Sequence, residues 1–322
     1  MAILCMAYFV AFGAVLGAVG LLVERSLPAR ASRRWLWLAL ITSSIALPIL
    51  TAFQRSSPEL SVLGHHVVAV PGATHASGAW FAGAGSAWLH CDAPNAALFV
   101  RLSWGAAALF LAWGLAGGWR AARLAGVGDE GRERPVDGAR VLLTDSVGPA
   151  TIGVVRPRVV VPRWVLALPE NRRRYVIRHE EEHRRAHDVR LLALAALLVC
   201  LMPWNLALWW QLRRLRLAVE LDCDARVVAA LGSPRTYGEL LLRVAEASRR
   251  GPRLQPALEG RAGMLERRLV ALVGPSRLTP FGRLVSVSAA VALLVALLSI
   301  PHPAPPRGPA TSGPMAAAHP AH

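Results

Sequence analysis

Four apolar runs, at roughly residues 2–23, 35–53, 102–118 and 284–300, constrain this chain more than any other feature, because a helix needs about 20 such residues to cross a hydrocarbon core. The whole composition agrees, with 54% hydrophobic and only 17% charged residues, too apolar for a water-soluble chain. An integral membrane protein is the expectation. The apolar content excludes disorder, and the four cysteines (Cys5, Cys91, Cys200 and Cys223) lack the spacing of a disulfide framework. The first run opens Met1-Ala2-Ile3-Leu4 with no basic segment and is followed by Glu24-Arg25 instead of a small-residue cleavage site, so it reads as a permanent anchor.

The net charge of +16 comes from arginine alone, since no lysine occurs, and its distribution sets an orientation. Arg25, Arg30, Arg33 and Arg34 crowd the short loop after the first run, whereas no basic residue other than histidine lies between Arg55 and Arg101. By the positive-inside bias the short loop is cytoplasmic and the loop at about 54–101 is external. The third run returns the chain inside, where Arg120 and Arg123 follow and most other arginines lie up to Arg283. The N-terminus and the tail are then both external. Arginines beside spans, facing anionic lipid, need no direct nucleic-acid partner. His65, His66, His75 and His90 in the external loop read as solvated side chains, and the Pro/Ala/His tail at 301–322 is too apolar-poor to fold. The expected organisation is a three-span membrane domain at 1–119, a cytoplasmic domain at 120–283, a last span at 284–300 and a disordered tail.

Within the cytoplasmic segment, Ala139–Leu143 and Arg158–Val161 read as short strands with Ile152–Val155 between them. Pro169 suits the first turn of a helix, and no Gly or Pro interrupts the run from Asn171 to Val189. That helix carries His179-Glu180-Glu181-Glu182-His183. Residues four apart share a helical face, so both imidazoles can point at one tetrahedral ion while a neighbouring carboxylate acts on water. Glu180 and Glu182 flank that face almost symmetrically, and Glu181 points away. The same run also offers i,i+4 pairs, Arg178 with Glu182, Glu180 with Arg184 and Glu181 with Arg185, that a plain charged surface would use.

A catalytic zinc site needs a third protein ligand. Glu220 and Asp224 are again four apart in a helical stretch, so one could ligate while the other fixes the tautomer of a ligating imidazole. Cys223 could ligate as well, though a small packed residue is the plainer reading.

Taken jointly, His179-Glu180-x-x-His183, Asp188, Pro203-Trp204-Asn205, Glu220-x-x-Cys223-Asp224-Ala225, Tyr237 and Leu240-Leu241 resemble the BlaR/MecR family of integral-membrane zinc metallopeptidases. Gly153-Val154-Val155-Arg156-Pro157 and Leu265-Glu266-Arg267-Arg268-Leu269 fit the same pattern. The resemblance implies an α-helical multi-span membrane protein with a cytoplasmic α+β zincin-like (gluzincin) metallopeptidase domain, in a bacterial cytoplasmic membrane. It implies Zn2+ held by His179, His183 and Glu220, with Glu180 as the general base and Asp224 and Asp188 orienting the ligands. The implied reaction is hydrolysis of peptide bonds in a cytoplasmic protein, a transcriptional repressor in the antirepressor pattern. Tyr237 and nearby arginines are the candidates for stabilising the oxyanion.

The apolar stretch from Leu191 to Trp210 has the length of a further span. If it crossed once, Glu220 would lie on the opposite side from His179 and His183. A re-entrant or interfacial hairpin at about 190–212, turning near Pro203-Trp204-Asn205, is therefore expected, with Trp204, Trp209 and Trp210 at headgroup level. Only 22 residues follow Ile300, and no Ser-x-x-Lys occurs, so the resemblance brings no expectation of a penicillin-binding sensor. The signal would enter through the external loop, the spans or an external sensor partner. Two other readings fit the motifs, a quality-control peptidase of the HtpX type and a non-catalytic membrane signalling scaffold.

Overall fold

The computed structural model describes residues 2–27, 31–56, 93–124, 133–144, 148–249, 261–274 and 279–299. Most of the expected external loop and the whole tail lie outside these residues. The described chain is mostly helical, with one small mixed sheet.

Three long helices come first, α1 (Ala2–Ser26), α2 (Arg33–Ser56) and α3 (Ala93–Leu124). Strands β1 (Glu133–Val136), β2 (Ala139–Thr144), β3 (Ala150–Ile152) and β4 (Arg158–Pro162) follow, then the short α4 (Arg163–Leu166). Helices α5 (Glu170–Arg185), α6 (Asp188–Leu201), α7 (Leu206–Leu231), α8 (Pro234–Arg249), α9 (Arg261–Val273) and α10 (Pro280–Ser299) complete the order. Among the described residues two helical segments, Met6–Ser26 in α1 and Pro280–Leu297 in α10, are long and apolar enough to cross a membrane. Helices α2 and α3 cover the other two apolar runs.

Helix α1 packs against α2, α7 and α10. Its glycines permit this approach: a Cβ on Gly17 would stand 2.2 Å from Trp210 Cζ3, and one on Gly20 would stand 2.3 Å from Leu40 Cδ1. Small residues at such crossings let helix backbones come close where lipid supplies no hydrophobic drive. The shared core joins Phe12 and Leu16, Trp37 and Ile41, Leu191 and Ala195, and Leu208, Leu212 and Leu215. Gln211, wholly buried there, donates from Nε2 to the Gly13 carbonyl (2.7 Å) and Ser44 Oγ (3.0 Å), so its burial leaves no donor unmet.

The chain reverses between α6 and α7 at Met202–Asn205, at the Pro203-Trp204-Asn205 turn that the sequence suggested. Asn205 caps α7 by accepting from the Ala207 amide (3.1 Å), while its own amide donates to the Phe9 carbonyl (3.1 Å). Both α6 and α7 therefore return towards α5, and Glu220 reaches the histidines.

The sheet has the order β1-β2-β4-β3, with β2 and β4 parallel and the two outer pairs antiparallel. Asp137 and Gly138, both at positive φ, close the β1–β2 hairpin as a type I′ turn allows. β1 lies within the Gly- and charge-rich stretch from Gly126 to Gly138, which by composition alone reads as a loop; Pro135 is tolerated because β1 is an edge. β3 sits at 150–152, earlier than the expected Ile152–Val155. Gly153 ends it at φ +102, where a Cβ would stand 2.7 Å from the Arg156 carbonyl. Val141, Val159 and Val161 bury one sheet face against Tyr175, Val176 and Ile177 of α5 and Tyr237, Leu240 and Leu241 of α8.

The expected helix over Asn171–Val189 is broken. His187 adopts a left-handed conformation (φ +56), and α6 begins anew at Asp188. A continuous helix would carry residue 188 round the axis away from residue 183. The break instead turns the Asp188 carboxylate back onto His183.

Candidate active site

Helix α5 presents His179 and His183 one turn apart, with their Nε2 atoms 3.2 Å from each other. Helix α7 brings Glu220 to the same point: Oε2 is 3.7 Å from His179 Nε2 and Oε1 is 3.7 Å from His183 Nε2. In a tetrahedral zinc site with bonds of about 2.0–2.1 Å, neighbouring donors are separated by roughly 3.3 Å. The three groups are thus spaced as three corners of one coordination sphere.

Hydrogen bonds on the far side of each ring fix which nitrogen faces the centre. His183 Nδ1 lies 2.8 Å from Asp188 Oδ2, and a carboxylate only accepts, so the proton sits on Nδ1. His179 Nδ1 lies 2.9 Å from the Tyr237 hydroxyl, which gives its own proton to Asp224 Oδ1 at 2.6 Å and so accepts from the ring. Both Nε2 atoms then face each other at 3.2 Å. Two ring nitrogens that close need a positive charge between them, a shared proton or a metal ion, and the donor set fits either. Burial, and then the neighbouring charge of His183, hold the His179 pKa well below 6.5. Burial opposes charge on His183 too, but Asp188, Cys223 and Glu220 outweigh it and hold its pKa well above 6.5. The pair accommodates one positive charge.

Cys223 competes with Glu220 for the third position, because its Sγ and the two imidazoles offer donor atoms within 4.8 Å of one another. Its thiol lies 3.2 Å from His179 Nδ1 and donates to the His179 carbonyl at 3.4 Å. That places sulfur against the outer nitrogen of His179, and the same thiol also interacts with His183. Burial pushes the Cys223 pKa up to about 11, which favours the thiol over the thiolate that binds metal. Glu220 and Cys223 are thus the two candidate third donors beside the imidazoles.

Glu180 faces a cavity of about 460 Å³ lined by Thr151, both histidines, Glu220, Leu241 and Arg268 among others. The Thr151 hydroxyl, on edge strand β3, donates to the Glu180 carbonyl (2.7 Å) and lies 3.2 Å from its Oε2. Burial first, with the Glu220 charge adding to it against the pull of His183, raises the Glu180 pKa to about 7. Glu182 is turned to Arg178 (2.7 Å) and Arg226 (3.0 Å), so the near-symmetry of Glu180 and Glu182 ends with only Glu180 on the cavity. Glu181 pairs with Arg184 (2.7 Å) and Arg185 (2.9 Å); Arg184 is thereby taken from the expected pair with Glu180.

Asp224 does not bond His179 directly, at 3.7 Å from Nδ1; the Tyr237 hydroxyl stands between them. Tyr237 thus holds the outer nitrogen of His179, and it also lines the cavity. Arg268 of α9 grips two acids of α7, with two nitrogens on Asp224 (2.7 and 2.8 Å) and Nη1 on Glu220 Oε2 (2.9 Å). The run at 265–269 does not by its motif alone give Arg268 a task. A signal was there: Arg268 shares its helix face with Leu265 and Leu272, and an arginine on an apolar face requires a buried acid. Thr151 had no comparable signal, because its role depends on the register of β3.

Residues 136–272, from the end of β1 into α9, match the family model described as BlaR1 peptidase M56. In these matched residues and in its motifs the chain is similar to proteins of the BlaR/MecR type. The chain is 24% identical over 155 residues to the regulatory protein BlaR1 of Bacillus licheniformis, a stretch that is 47% of this chain and 26% of that relative. The likeness therefore spans about a quarter of the relative's length. No solved structure matches the chain.

Proposed function

We propose that this protein is a multi-span membrane zinc endopeptidase of gluzincin type that cleaves a cytoplasmic, repressor-like regulator in transmembrane signalling. The observation that carries the proposal is the convergence of His179, His183 and Glu220 on one point, beside Glu180 in the cavity wall. The Bacillus relative, a regulatory protein by name, favours a signalling role over general quality control. The pairing of Glu181 and Glu182 with arginines, as on an ordinary charged helix, takes away the oddity of that Glu-Glu pair, which would have favoured a non-catalytic scaffold.

The membrane assignment is supported by the outward apolar side chains of α3 and α10, among them Leu109 and Leu115, Phe281 and Leu284. Orientation follows from the arginine-rich elbow between α1 and α2, which docks beside the site through Arg34 and Asp188 at 2.5 Å. If the elbow is cytoplasmic by its charge, so is the site. The α6–α7 hairpin is then re-entrant, the N- and C-termini are external, and the last span is α10. An external sensor partner remains part of this scheme.

His179, His183 and Glu220 would hold the ion, Asp188 and the Tyr237–Asp224 pair would keep the rings turned inward, and Arg268 would hold Glu220. Bound zinc supplies Lewis acidity towards water and the scissile carbonyl. Glu180 Oε2 takes the proton of the attacking water and returns it to the leaving amine nitrogen, a task suited to a carboxyl whose pKa is near the working pH. The Thr151 hydroxyl keeps that carboxylate facing the cavity, and edge strand β3 offers backbone groups to an extended substrate.

Purified protein should contain one zinc per chain and cleave a repressor-like protein encoded beside it; a chelator should stop cleavage and zinc should restore it. Because Glu180 must be deprotonated to act, kcat/KM should rise with pH along an acid limb at or below about 7, the ion's charge taking the place of the pull of charged His183. Full zinc occupancy without cleavage of any candidate regulator, or cleavage unaffected by chelation, would contradict the proposal.

A further inference from the structure

The carboxylate that orients His183 is held in turn by the membrane part of the chain. Arg34, in the first turn of α2, places Nη1 2.5 Å from Asp188 Oδ1 and 3.3 Å from the Ala186 carbonyl at the α5–α6 break. The backbone carrying Arg34 is also fixed: Asp222 of α7 accepts from Ser32 Oγ (3.0 Å) and from the amides of Arg33 (3.2 Å) and Arg34 (3.1 Å). It thereby caps the start of α2, where a helix has unmet amides and favours negative charge. Two acids beside the site, one on α6 and one on α7, thus grip the same elbow. Arg226 is the other cation on Asp188, but it stands at 3.4 Å and is committed to Glu182 at 3.0 Å.

We propose that Arg34 is a positioning residue for the metal site, acting through Asp188 on His183, and that the α1–α2 elbow thereby couples the membrane helices to metal affinity. With Oδ1 pinned by Arg34, Oδ2 stays on His183 Nδ1 and the ring keeps Nε2 directed at the centre. When the elbow moves away, the carboxylate turns to Arg226 and His183 loses its fixed tautomer and direction. Displacement of α2 by a signal would change the site without any group in α2 touching the ion. The inference rests on the zinc-peptidase reading.

The test measures zinc affinity of the full-length protein in detergent by competition with a chromophoric chelator. Arg34→Ala should weaken binding by roughly 10- to 100-fold, the cost of losing an outer partner of a ligand. Arg34→Lys, which keeps the cation, should recover most of it. Arg185→Ala, which removes an exposed ion pair from the same region, should match wild type. Asp222→Asn loosens the elbow from outside the His183–Asp188 pair and should weaken binding in the same direction; it carries the test if Arg34→Ala does not fold. Zinc-loaded wild type with unchanged affinity in Arg34→Ala, or in Asp222→Asn where that variant stands in, overturns the proposal alone, as does an equal loss in Arg185→Ala. Absence of zinc binding by wild type overturns the zinc-peptidase reading and the coupling with it.

Discussion

Replacing Glu180 with glutamine is expected to leave zinc bound and to lower kcat by roughly 10²- to 10⁴-fold, the range that a positioned general base contributes. Glutamine keeps the shape of the side chain and can still meet the Thr151 hydroxyl, which lies 3.2 Å from Oε2 in the native protein. It cannot take a proton from water. The variant therefore separates the base from the fold and from the metal ligands, neither of which Glu180 supplies in this account. Metal content and single-substrate kinetics on the same preparation decide the matter. Equal kcat in the two proteins would remove Glu180 from the chemistry, and zinc lost along with activity would make it a ligand.

Removing the third donor should have the second large effect. Glu220→Ala takes away the carboxylate that spans both imidazoles at 3.7 Å, and it frees one arm of Arg268, leaving a buried positive charge nearer the centre. Both consequences disfavour a cation. Zinc affinity should fall by more than about 100-fold, beyond what outer partners cost. Cys223→Ala, in contrast, removes a buried thiol that faces the outer nitrogen of His179, and affinity should stay near that of wild type. Competition titrations of the two variants separate the alternatives. A cysteine variant stripped of zinc beside a normal Glu220→Ala would exchange their roles.

Local spacing made much of this site legible in the sequence. Helical periodicity places His179 and His183 on one face, and the same periodicity relates Glu220 to Asp224. The requirement that Glu220 share a side with the histidines turned an apparent span into a hairpin, and the chain does reverse at Met202–Asn205. What spacing could not supply was everything that depends on tertiary placement. The break at His187 has no Gly or Pro to announce it; it exists where a carboxylate of a second helix must reach back to an imidazole. β1 was hidden because a Pro-containing charged stretch reads as loop until a partner strand pairs with it. Tyr237 between Asp224 and His179, Arg268 across the two acids and Arg34 on Asp188 all join residues tens to more than a hundred positions apart. Such contacts leave at most a trace, as the arginine on the apolar face of α9 does.

The central claim is that one zinc ion is held by two imidazoles and one carboxylate drawn from α5 and α7. X-ray absorption at the zinc edge of the purified protein examines it most directly. The expected result is coordination by nitrogen and oxygen only, at about 2.0–2.2 Å. A sulfur scatterer at about 2.3 Å would contradict it by placing Cys223 in the shell.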